Sequence, residues 1–319
     1  MSKLIIVSGP TASGKTKTSI ELAQRIYSKL NLSTVIVNFD SLLFYKELSI
    51  GTAKPTLEER QGVEHFMIDI ESISSPMNAS NFIKICEQVI KEQFSKGKCV
   101  ILVGGSAFYL RALLKGMYET ITPTPEVLEM IENLYQKEGI ESIISYLKIN
   151  DPESLNYLHQ NDHYRLMRAA LHVKMTGTKF SSQKNILDKL SPYDFKKIIH
   201  PWQIHHIYLD LPKDQHFEII KMRAEKMFED GLMDEIATLE RNGHGLEIKP
   251  LNSVGYKEAI QLKNGLFPNQ DACIERIAIS TRQLAKSQRT FFKKIVPKQT
   301  FNPLIDQEEI FTSVEQFLS

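Results

Sequence analysis

Gly9-Pro10-Thr11-Ala12-Ser13-Gly14-Lys15-Thr16 places two glycines at phosphate-loop spacing and follows the second with a lysine and a hydroxyl residue. The backbone N–H groups of such a loop can converge on one concavity and bind phosphate oxygens. The lysine adds a point charge, and a threonine hydroxyl at the next helix N-terminus can ligate Mg²⁺. Lys3 to Ser8 reads as a short apolar strand, and Thr16 to Lys29 carries Ile20, Ala23 and Ile26 at helical spacing. That strand–loop–helix setting separates a P-loop from a chance glycine turn. Gly9, Pro10, Thr11, Ala12, Ser13, Gly14, Lys15 and Thr16 are therefore the candidate diphosphate-binding set, with Thr16 as the candidate Mg²⁺ ligand. The loop alone leaves open whether phosphate is hydrolysed, transferred or expelled as a leaving group.

The elements around the loop decide what it faces. Ser33 to Asn38 reads as a second strand, and it delivers Asp40-Ser41 just past its carboxyl end, where ligands bind in open parallel sheets. On its own Asp40 is an ordinary turn residue; beside a P-loop it becomes a candidate for chemistry. Ala79 to Phe94 has helical periodicity, and Cys99 to Val103 is an unbroken apolar run suited to a buried parallel strand. Gly104-Gly105-Ser106 then turns into another helix. Strand–helix alternation stops at Thr122-Pro123-Thr124-Pro125. From Glu126 to about Lys197 the pattern is mostly helical, and Ile204 to Leu209 reads as a strand rejoining the sheet. Helices are predicted over Asp214–Glu229, Met233–Arg241 and Ala272–Ile295. The expected fold class is α/β: a P-loop NTPase-like parallel sheet flanked by helices, with a mostly helical insertion domain. The expected domains are 1–122, the first part of a catalytic core; 123–200, the insertion; and 201–319, the return to the core with C-terminal helices.

Composition narrows the class further. The 42% hydrophobic and 24% charged residues are the balance of a soluble globular chain, not a disordered or fibrous one. No apolar stretch approaches the roughly 20 residues that span a bilayer, so no membrane partner is expected. Cys86, Cys99 and Cys273 lie far apart and read as reduced thiols, and the N-terminal apolar run is a strand, not a leader, so a cytoplasmic location is expected. The net charge of +1 decides nothing, but seven basic and no acidic residues fall between Arg276 and Lys298. Arg282, Lys286, Arg289 and Lys293 share one helical face there, with Leu284, Phe291 and Ile295 largely opposite. That stripe suits a phosphate backbone. Trp202 and the pair His205-His206 read as strand and packing residues.

Over nearly its whole length the sequence resembles the tRNA dimethylallyltransferases, also called tRNA isopentenyltransferases. The likeness rests on Ser8 to Thr16, Asp40-Ser41 with Tyr45, Ile50-Gly51-Thr52-Ala53-Lys54-Pro55, Leu102-Val103-Gly104-Gly105-Ser106, Asn161-Asp162 with Arg165-Leu166 and Arg168, Val254-Gly255-Tyr256-Lys257, and Thr281 to Lys286. Six such blocks after the loop, in order, are far more specific than any one.

The resemblance implies transfer of a dimethylallyl group from dimethylallyl diphosphate to the N6 amine of the adenosine 3′-adjacent to the tRNA anticodon, position 37. It implies catalytic roles for Asp40, Thr16 and Arg223, and Mg²⁺ as cofactor. tRNA contacts are implied for Asp40, Ser41, Leu42, Leu43, Ser106, Tyr164, Arg165, Leu166, Met167, Arg168, Arg282, Gln283 and Lys286. The insertion would grip the anticodon stem-loop, and the enzyme is expected to be a monomer. Tyr164 stands where members more often have glutamine, Ser106 where they have threonine, and Asn252 where some have arginine. A prenyltransferase acting on free AMP or ADP would use the same loop and aspartate without the insertion, and a P-loop kinase would bind ATP with Lys15 and Thr16.

Overall fold

The computed structural model describes residues 2–117, 123–183 and 191–319, which form two compact units. One joins Met1–Leu114 to Tyr193–Ser319, and the other is Lys115–Pro192.

The first unit is built on β1 (Ser2–Ser8), β2 (Thr34–Asn38), β3 (His65–Phe66), β4 (Cys99–Gly104), β5 (Trp202–Leu209) and β6 (Gln299–Phe301), in the order β3-β2-β4-β1-β5-β6. Every pairing is parallel. The runs Leu4–Val7 in β1 and Cys99–Val103 in β4 are unbroken apolar sequence because helices cover both faces. Alternate side chains point to opposite faces. Leu4, Ile6, Val35, Val37, Val100 and Leu102 meet the helix α2 (Ala79–Ser95) and the helix α3 (Ala107–Lys115) on one side. Ile5, Val7, Ile36, Ile101 and Val103 meet α1 (Lys15–Leu30) on the other. The carboxyl ends of β1, β2 and β4 are adjacent in the sheet. Their loops, carrying the P-loop, Asp40 and Gly105, therefore open on one edge.

The second unit holds α4 (Pro125–Glu138), α5 (Ile140–Asn150) and α6 (His163–Thr176). Thr124 caps α4 by accepting from the Val127 N–H, with Pro125 at the first helical position. Asp162 caps α6 by accepting from the Arg165 N–H. Ile131, Ile143, Leu147, Leu166 and Ala169 pack into a separate aliphatic core. The sequence boundary at 122–123 falls partly outside the described residues. Near residue 200 the chain rejoins the sheet early, because Phe195 packs into the sheet core.

The first unit is completed by α7 (Lys213–Glu229), α8 (Leu232–Arg241), α9 (Tyr256–Lys263), α10 (Gln270–Phe292) and α11 (Gln307–Leu318). Helix α10 stops at Phe292, three residues short of the periodicity-based end at Ile295. Trp202 is buried and stacks on His200 with ring centroids 3.9 Å apart, in keeping with a packing role.

Candidate active site

At the end of β1 the chain turns where only glycine fits: a Cβ on Gly9 would lie 2.4 Å from the Leu209 carbonyl oxygen. Gly14, at φ 79°, enters α1 from the left-handed region, and Ala12 sits at φ 60°. The Lys15 ammonium donates to the Pro10 carbonyl at 2.8 Å. Burial pushes its pKa down to about 8; nearby Asp40 opposes the shift and Arg223 adds to it. Thr16 is exposed on the first turn of α1.

Asp40 is held by Asn38, a buried residue outside the candidate set read from the sequence. The Asn38 Oδ1 accepts from the Asp40 N–H (2.9 Å), and its Nδ2 donates to the carbonyls of Asp40 (3.0 Å) and Met67 (2.9 Å). An amide side chain thus does the work of a further strand in fixing the loop. Asp40 borders a cleft of about 510 Å³ together with Thr11, Ser41, Ser106 and Arg223. Leu42, Ile220, Met227, Leu284 and Phe291 supply apolar wall. The Arg223 guanidinium donates to the Thr52 carbonyl at 3.0 Å. Burial lowers its pKa and Asp40 opposes that shift, which marks the two as charge partners.

Gln288 links the P-loop to the β4 turn. Its Oε1 accepts from the Thr11 N–H (2.8 Å) and its Nε2 donates to the Gly105 carbonyl (3.0 Å). A Cβ on Gly105 would come within 2.7 Å of that Nε2 and 3.5 Å of Asp40 Oδ2, so the absence of a side chain keeps this corner open. The loop carrying Gly51 and Thr52 is held from below. Glu235 accepts from the N–H groups of Ser49, Ile50 and Gly51, and the Tyr256 hydroxyl donates to the same carboxylate. A Cβ on Gly51 would sit 2.5 Å from the Tyr256 ring.

The structure therefore brings Thr11, Asp40, Ser41, Leu42, Ser106 and Arg223 to one cleft, with Asn252 also on its wall. Leu43 does not line it; its carbonyl accepts from the Asp69 N–H at 3.1 Å. On α10, Arg282, Gln283 and Lys286 are exposed, and the Arg282 guanidinium lies 4.2 Å from the Phe217 ring centroid. Two sequence readings need correction, those of Arg289 and Leu166. Arg289 is not on a free basic stripe: its Nε donates to Asp210 Oδ1 at 2.8 Å. Leu284 and Phe291 line the cleft, because the face opposite the cations is the one turned to the site. Leu166 is fully buried in the helical unit's core, so its side chain is unavailable to RNA; Tyr164 and Arg165 beside it are exposed, and Met167 and Arg168 are half-buried. Of these supports Asn38 is buried and Gln288 and Glu235 are half-buried; the last two carry no sequence signal, since their partners lie in remote loops.

A P-loop at the centre of a parallel sheet, sharing a cleft edge with a carboxylate from the next loop, defines an α/β P-loop enzyme. The sequence profile of the family described as IPP transferase matches residues 43–295. The chain is 34% identical over 295 residues to a tRNA dimethylallyltransferase of Geotalea uraniireducens, covering 92% of this chain and 89% of that one. It is 31% identical to one of Parabacteroides distasonis, covering 99% of each. Among solved structures, the tRNA isopentenylpyrophosphate transferase of Bacillus halodurans superposes with a TM-score of 0.69 at 27% identity, over 100% of this chain and 97% of that one. A eukaryotic dimethylallyltransferase described as acting on tRNA superposes with a TM-score of 0.78 at 25% identity, over 99% of this chain and 77% of that one. The chain belongs to the IPP transferase family and is a prenyltransferase.

Proposed function

We propose that this chain transfers the dimethylallyl group of dimethylallyl diphosphate to the N6 amine of the adenosine at tRNA position 37, releasing diphosphate. The observation that supports it most directly is that Thr11 of the P-loop and Asp40 border one cleft, with Arg223 electrostatically coupled to both Asp40 and Lys15. An adenine amine is a weak nucleophile. Asp40 orients it and accepts its proton as the N–C bond forms. As the C–O bond to diphosphate breaks, the electron pair passes to the leaving oxygen. The P-loop amides, Lys15 and Arg223 stabilise the growing charge without rearranging.

Among the described residues no three His, Cys, Asp or Glu side chains cluster as a metal cage. The exposed Thr16 hydroxyl is the group that would hold Mg²⁺ on the protein side. When bound, Mg²⁺ would add charge neutralisation at the diphosphate oxygens. Asp40, Ser41, Leu42 and Ser106, which line the cleft, would hold an extruded adenine. Arg282, Gln283 and Lys286 on α10, and Tyr164, Arg165, Met167 and Arg168 in the helical unit, are proposed to set the register of the anticodon stem-loop. We assign the enzyme to the cytoplasm as a monomer; its three cysteines are buried thiols, and among the described residues no helix is long and apolar enough to cross a membrane.

Incubation with labelled dimethylallyl diphosphate and either unmodified tRNA or AMP tests the assignment. Label is expected in tRNA at adenosine 37. Label in AMP alone, or phosphate release from ATP without any prenyl donor, would overturn it.

A further inference from the structure

Both main-chain groups of Thr11 are held by side chains from two different helices. Its N–H donates to Gln288 on α10, and its carbonyl accepts from His216 Nε2 on α7 at 2.8 Å. Arg289 Nη2 donates to the other ring nitrogen, Nδ1, at 2.8 Å. A guanidinium has only donors, so Nδ1 must accept and the ring proton resides on Nε2, facing Thr11. The Arg289 guanidinium is itself fixed by Asp210 Oδ1 at 2.8 Å and by the Leu211 carbonyl at 3.3 Å. His216 is 2% exposed, and it does not line the cleft. It is therefore no candidate acid or base; burial first, then Arg289 and Lys15, lower its pKa against the Thr11 bond and Asp210.

We propose that His216, oriented by Arg289, is a positioning residue that fixes the Thr11–Ala12 peptide of the P-loop and so aims the Ala12 amide for diphosphate binding. The assignment of diphosphate as ligand rests on the function proposed above. Peptide geometry makes the link. In a trans peptide the C=O and the following N–H point in opposite directions, so anchoring the Thr11 oxygen on His216 directs the Ala12 N–H away from α7. Ala12 φ is the torsion about its own N–Cα bond, measured from the Thr11 carbonyl carbon. Holding that carbonyl therefore holds Ala12 at φ 60°, a left-handed conformation that a residue with a Cβ keeps only where its surroundings over-determine it. Asp210 after β5, His216 on α7, and Gln288 with Arg289 on α10 all converge on this one residue of the loop.

The test measures binding of inorganic diphosphate with Mg²⁺ to the full chain by calorimetry, alongside steady-state kinetics with dimethylallyl diphosphate and tRNA. His216→Ala is expected to weaken diphosphate binding by ~10-fold and raise the KM for the prenyl donor to a similar degree, as loss of a positioning hydrogen bond implies. The KM for tRNA should stay within about twofold, a split that general destabilisation would not give. His216→Gln, which puts an amide donor near the Nε2 position, should recover most of the lost affinity. Arg289→Met removes the donor that fixes the His216 ring and should also weaken diphosphate binding, which decides the matter should His216→Ala fail to fold. Wild-type diphosphate affinity in folded His216→Ala or in Arg289→Met overturns the proposal. So does a His216→Gln variant no better than His216→Ala. Diphosphate affinity is read without prenyl transfer, so absence of transfer counts against the proposed function alone.

Discussion

The loop edge of the sheet and the helical unit Lys115–Pro192 present polar groups in opposite ways. At the sheet edge, Asn38, Gln288, Glu235 and Arg223 direct their polar atoms at main-chain groups of the loops that border the cleft. In the helical unit, Arg165 lies outside an aliphatic core and makes a 3.3 Å ion pair with Asp162 on its own first turn. The first arrangement fixes positions to fractions of an ångström, as bond-making chemistry needs. The second leaves long side chains free to adapt, which suits phosphate contacts that set register. Substitution should therefore cost turnover at the sheet edge, but stability or affinity in the helical unit, according to which layer is touched.

The largest effect is expected at Asp40. Asp40→Ala should slow transfer by ~10² or more while gel-shift affinity for tRNA is kept, as removal of a general base implies. Comparable turnover would take the carboxylate out of the reaction. Within the helical unit, adjacent residues should part company. Leu166→Ala should destabilise that unit by about 2–5 kcal/mol, the range for a buried leucine, whereas Arg165→Ala should leave the melting temperature nearly unchanged and weaken tRNA binding. A cooperative melt in which both behave alike would collapse the distinction between layers.

A third test concerns protons. His206 lies buried on β5, with Ser8 Oγ 2.7 Å from its Nε2. Burial first, then Lys298 and His205, push its pKa down to about 3. Unfolded, the group titrates near 6.5. The folded state disfavours the cation, so this contribution is complete above pH ~6.5 and is lost as pH falls toward 3, at up to about 1.4 kcal/mol per pH unit. Melts between pH 7 and pH 4 should show this slope, and His206→Phe should flatten it. The smallest change is expected from the outer face of α10. Arg282→Glu with Lys286→Glu should weaken tRNA binding and reduce the salt slope by about 2, and an unchanged slope would place that face in solvent.

What the sequence disclosed follows the same division. The P-loop was legible because its chemistry is contiguous, and Asp40 because a strand end beside a P-loop is a ligand position whatever the rest of the fold does. His216 and Gln288 were not, since their bonds to Thr11 join residues 205 and 277 positions apart. On α10, spacing correctly grouped Leu284 with Phe291, but it could not say that the cleft would cover that face. Nor could it foresee that Asp210 would draw Arg289 inward, for that depends on what β5 brings alongside. Leu166 is different. Its stripe with Ala169, Ala170 and Val173 at helical spacing carried a core signal that the motif resemblance overrode.

The place of β1 in the sheet sets a schedule for synthesis. Leu4 pairs with Val100 on one side and with Ile204 on the other, so β1 is enclosed only after the whole helical unit has been made. That unit has its own core and can collapse while it waits. The apolar segment Leu4–Val7 meanwhile stays half-covered, and the phosphate loop at its end takes shape only when β5 brings the Leu209 carbonyl against Gly9. A nascent chain stalled before residue 200 would thus carry every P-loop residue and still lack the wall that gives the loop its shape.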